Sequence, residues 1–113
     1  MLFANSAAAA DDPEVTRDVQ CLAVNAYLAS KDDASLKMAG LMASLYYLGR
    51  LDGRDPDADL NRRLTDEVMK LKPDDIAVLA KSCGETLADR GKALKAAGQH
   101  LQERALDIGK PKT

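Results

Sequence analysis

Gly84-Glu85-Thr86-Leu87, Gly91-Lys92-Ala93-Leu94 and Gly98-Gln99-His100-Leu101 repeat a glycine and a leucine every seven residues. Ala77 with Ala80, and Ala105 with Ile108, extend the pattern on either side. This is a heptad with a small residue at one core position and mostly leucine at the other. The spacing predicts one continuous helix from Asp74 to about Ile108, about 52 Å long at the helical rise. The alternative is that one or more glycines end a helix and the stretch is two or three short ones. Glycine costs about 1 kcal/mol against alanine inside a helix, so three in phase need a reason. Close approach is one: without a Cβ, a second helix can sit nearer than the usual spacing of about 8–10 Å. Ala39, Gly40 and Ala43 offer a matching small-residue surface upstream.

Three more helices are predicted before this one. The first has Asp12 as N-cap and Pro13 at the first helical position, and ends near Ser30. Asp32 or Asp33 caps the second, from about Ala34 to Leu51, with Gly53 just past its end. Leu36, Met38, Leu41, Met42, Leu45, Tyr46, Leu48 and Leu51 make it apolar nearly all round, so it should be the most buried helix. Asp55 and Pro56 repeat the cap-plus-proline start, and Leu60, Leu64, Val68 and Leu71 give the third helix a narrow stripe. Pro73 interrupts it, and Asp74 and Asp75 place negative charge at the start of the fourth.

Composition agrees. Of 113 residues, 19 are Ala and 16 Leu, against 5 Val and 2 Ile, so helix formers outweigh strand formers heavily. The expected fold is all-α: a four-helix bundle with a long C-terminal helix, stapled by one disulfide. The helical domain is placed at 11–108, with 109–113 as a disordered tail. Residues 1–10 read as the end of a signal peptide, with small residues Ser6 to Ala10 before Asp11, or else as a disordered Ala-rich tail. A net charge of −2 argues against a nucleic-acid partner, and no apolar run is long enough to insert in a membrane.

Cys21 and Cys83 are an even pair without Cys-x-x-Cys spacing or a clustered His. In an oxidising compartment they would form a disulfide worth about 4 kcal/mol by chain entropy. The alternative is two buried free thiols. With the N-terminal reading, the disulfide places the protein in the periplasm or outside the cell.

Little else suggests chemistry. The chain has one histidine, His100, and no nucleophile–base spacing or phosphate loop, so neither an enzyme nor a cofactor is expected. Asp55, Asp57, Asp59 and Asp66 imitate a calcium loop, but Leu60 stands where Gly is needed, and the reading is a helix start with an acidic first turn. Tyr46 to Arg54 is the most distinctive stretch, and Tyr47, Arg50 and Arg54 are the candidate contacts for a protein partner. The alternative there is structural: a core tyrosine, and arginines that offset the helix dipole. The leucine row of the last helix is also expected to pair two copies into a homodimer.

Asp18-Val19-Gln20-Cys21-Leu22-Ala23, Tyr47-Leu48-Gly49-Arg50-Leu51-Asp52-Gly53 and Lys81-Ser82-Cys83-Gly84 resemble segments of small secreted helical proteins of alphaproteobacteria. The overall plan is more distantly similar to the HdeA-type periplasmic acid-stress chaperones, short helical proteins with one disulfide between first and last helices. The chain departs from them in lacking Trp and in its longer Cys–Cys separation. Tyr46, Gly49, Asp52 and Gly53 resemble a stretch of the Tai-type immunity proteins, which block secreted toxins and carry a second disulfide. The resemblance to the HdeA-type chaperones implies a chaperone-like binding protein that works through apolar helix faces. The resemblance to the Tai-type immunity proteins implies a module with one dedicated protein partner.

Overall fold

The computed structural model describes residues 12–108. The expected tails at 1–10 and 109–113 lie outside the described residues. Four helices follow one another: α1 (Pro13–Ala29), α2 (Ala34–Arg54), α3 (Leu60–Lys70) and α4 (Pro73–Ile108). The described residues contain no strand, and the architecture is the all-α four-helix arrangement that composition predicts.

An aspartate organises each helix start. Asp12 accepts from the Glu14 N–H at 2.8 Å, Asp33 from Leu36 at 3.0 Å and Asp59 from Arg62 at 3.3 Å. At α4 the carboxylate of Asp75 reaches back to the Lys72 N–H at 3.0 Å, one half of a capping box. Two boundaries differ from the sequence reading. α3 begins at Leu60, capped by Asp59, rather than at Pro56. Asp55 closes α2 instead, its N–H donating to the Leu51 carbonyl at 2.7 Å. Gly53 is therefore inside α2, and no described glycine takes a positive φ.

The core runs along α1, not α2. Eight of the seventeen residues of α1 are buried, among them Val15, Val19, Cys21 and Leu22. Of the twenty-one residues of α2, only Gly40, Ala43, Tyr47 and Leu51 are. α1 packs against all three other helices, so it is covered on several sides, whereas α2 has α1 along one side and meets α4 only locally. An all-round apolar surface can be buried only where neighbours exist to cover it.

The small-residue surface of α2 does find a close neighbour, but a different one. A Cβ on Gly40 would lie 2.5 Å from the Ala29 backbone N and 2.7 Å from the Asn25 carbonyl oxygen. Gly40 and Ala43 thus carry the α1–α2 crossing. Gly84, Gly91 and Gly98 have no atom within 4 Å of their Cβ positions, so the expected pairing of the glycine seam with α2 does not occur.

α4 is continuous for 36 residues, about 54 Å. Cys83 is its one buried described residue, bonded to Cys21 with Cα atoms 5.6 Å apart. Arg17 of α1 fastens the same turn, donating to Ser82 Oγ at 3.0 Å and Thr86 Oγ1 at 2.9 Å. From Ala88 to Leu106 every residue is exposed. The Cα radius of gyration is 18.1 Å, against about 13 Å for a compact chain of this length.

Candidate functional site

The end of α2 is built inward. Tyr47 is fully buried, and its hydroxyl donates to the Cys83 carbonyl at 2.7 Å, beside the disulfide. Burial pushes that hydroxyl above its ordinary value near 10. The ring meets Tyr46 edge to face, centroids 5.0 Å apart. Tyr47 has no surface to offer a partner, which corrects its reading as a contact residue.

Arg50 lies one turn further along. Its Nε donates to Asp18 Oδ1 at 2.9 Å, and that hydrogen bond raises the arginine's pKa further. Asp18 is buried on α1, and its second oxygen has no hydrogen-bond partner among the described residues. Arg54 pairs with Glu14 Oε2 at 2.5 Å and stands 3.9 Å from Asp12. Both arginines therefore tie the end of α2 to the start of α1. Asp18 was not singled out in the sequence; an acid inside a row of buried α1 residues, with two arginines downstream, is the signal that could have found it.

The opposite side of α2 is bare. Met38, Leu41, Met42 and Leu45 stand at i, i+3, i+4 and i+7, one face of the helix. They are 58%, 47%, 62% and 60% exposed. From Met38 to Gly49 the chain has no charged residue. Scattered single apolar residues on a surface are ordinary, but a contiguous uncharged face is not. The sequence reading assigned these four side chains to the core. The lack of charge over twelve residues, read as a surface property, was the available clue.

Two further features complete the surface. A recess of about 380 Å³ is lined by Ala23, Val24, Tyr27, Val68, Leu71 and Ile76, almost wholly apolar. On α4, Leu94 and Leu101 are 74% and 67% exposed. Asp55, Asp57, Asp59 and Asp66 line one shallow recess together with Arg62 and Arg63; Asp55 is buried at the end of α2 and Asp59 caps α3. No group of three metal-ligating side chains occurs among the described residues, and none of the described helices is long and apolar enough to cross a membrane. His100 is exposed on the bare half of α4.

What this arrangement can do chemically is bind apolar surface. No family model, curated protein or solved structure is similar enough to this chain to match it.

Proposed function

We propose that this is a small periplasmic binding protein that holds the apolar segments of unfolding proteins on the outward face of α2. One observation carries the reading: Met38, Leu41, Met42 and Leu45 form an uncharged helical face that the chain leaves exposed. Methionine is flexible and polarizable, so a Met/Leu face adapts to partners of differing shape. The Cys21–Cys83 bond fits an oxidising compartment, and the resemblance to HdeA-type chaperones points the same way. A module with one dedicated partner would use Tyr47, Arg50 and Arg54 as anchors. All three are engaged within the chain, so that reading is not favoured.

An aggregation assay tests the proposal. The intact protein should suppress light scattering from an unrelated enzyme unfolding by heat. Met42→Glu with Leu45→Glu should abolish suppression while the helical spectrum and melting temperature stay close to those of the parent, because both side chains are already in solvent. Undiminished suppression by the double variant would remove α2 from the account.

A further inference from the structure

The bare half of α4 differs from α2 in one respect that decides its partner: its apolar row is edged by charge. We propose that Ala88 to Leu106 docks an acidic amphipathic helix of another protein. The seam is made of Gly91, Leu94, Gly98 and Leu101, with Ala105 continuing it. The glycines have open space above them and the leucines stand in solvent, so a partner helix can approach closely and set its own bulky side chains over the glycines.

The residues that flank a heptad seam are those just before each small position and just after each leucine. On the exposed half these are Arg90, Ala97 and Arg104 on one edge, and Ala88, Lys95 and Gln102 on the other. Three of them are cationic and none is acidic. Asp89 and Glu103 lie on the opposite face of the helix by their heptad positions. No ion pair holds Arg90, Lys95 or Arg104 among the described residues. The edge charges are thus uncompensated among the described residues.

That pattern argues against a second copy as the occupant. In a parallel two-fold pair Arg90 would face Lys95, and in an antiparallel pair arginine would face arginine and lysine face lysine. Like charges across a helical seam oppose pairing, and opposite charges select a partner. A helix with glutamate or aspartate on both edges satisfies every position. This interface is independent of the α2 face and stands on separate residues.

The test uses the full chain and synthetic helical peptides of four heptads. Each peptide carries alanine and leucine at its core positions, with either glutamate or lysine at all flanking positions. Fluorescence anisotropy should show saturable binding of the glutamate peptide, weakened about tenfold or more from low to high salt because the edge charges are solvent-exposed. Reversing the edges (Arg90→Glu, Lys95→Glu, Arg104→Glu) should switch preference to the lysine peptide. Gly91→Ala with Gly98→Ala should weaken binding of the glutamate peptide while raising helical stability, a combination that a merely structural role for these glycines would not give. Met42→Glu with Leu45→Glu should leave peptide binding unchanged, which separates failure here from failure of the α2 reading. Equal binding of both peptides, no binding of either, or a dimer of the chain alone that Leu101→Lys dissociates would overturn the proposal.

Discussion

Gly40 and Gly91 are the same residue in two opposite settings, and the contrast divides the molecule. At Gly40 the backbone of α1 lies so near that no Cβ fits; at Gly91 the space is open out to 4 Å. The first glycine belongs to a packed half made of α1, the inner side of α2, α3 and the first turns of α4. The second belongs to a helix that leaves that half after Leu87 and finds nothing else among the described residues to lie against. Helix-forming sequence explains both halves. Packing explains only the first, since from Ala88 to Leu106 every residue of α4 is exposed.

The largest effect expected concerns the point where the halves join. Cys83 is the buried residue that anchors α4, so reducing Cys21–Cys83 should lower stability by about 4 kcal/mol on the chain-entropy estimate. Denaturant melts with and without reductant measure it, and an unchanged midpoint would mean that α4 is held mainly by other contacts. Next comes Gly40→Ala. The added methyl must displace backbone instead of a flexible side chain, a cost of about 3 kcal/mol. A neutral result would show that the α1–α2 crossing can shift and that the packed half is looser than described.

Arg50→Ala removes the partner of a buried carboxylate. Because the arginine is itself about one-third exposed, the expected cost is about 2 kcal/mol rather than that of a fully buried pair. Adding Asp18→Asn should recover part of it in a double-mutant cycle, and additive losses would deny the coupling. The smallest effect has the opposite sign. Gly91→Ala meets no atom, so helix propensity alone acts, and the chain should gain up to about 1 kcal/mol in helical stability. A loss would place a neighbour at Gly91 that the structure does not contain.

The α4 helix and the disulfide were legible in the sequence because their signals are local or combinatorial. A seven-residue repeat favours one helix over several short ones, and two cysteines, if they pair, admit one pairing. The caps at Asp12 and Asp33 were equally readable. What could not be read was which apolar surface faces which. Leu41 and Leu45 have the same chemistry as Leu22 and Leu51, and only the placement of α1 against one side of α2 leaves the first two in solvent. The reading of Gly84, Gly91 and Gly98 identified their spacing and misplaced their neighbour, since a bare Cα permits close approach without saying who approaches. Tyr47 and Arg50 were noticed for their clustering, but their residue types suit a core and an interface equally. The deciding facts, the Cys83 carbonyl and the Asp18 carboxylate, lie 36 and 32 residues away in sequence.

The division into a packed and a bare half is tested most directly by amide hydrogen exchange along α4 in the free chain. Amides up to Thr86, fastened by Arg17 and the disulfide, should be protected to near the global stability. Those from Ala88 to Leu106 should exchange much faster, and should gain protection when the glutamate-flanked peptide binds. Uniform slow exchange from Pro73 to Leu106 in a chain shown to be monomeric would contradict the account, because it would mean that the second half of α4 is supported from within.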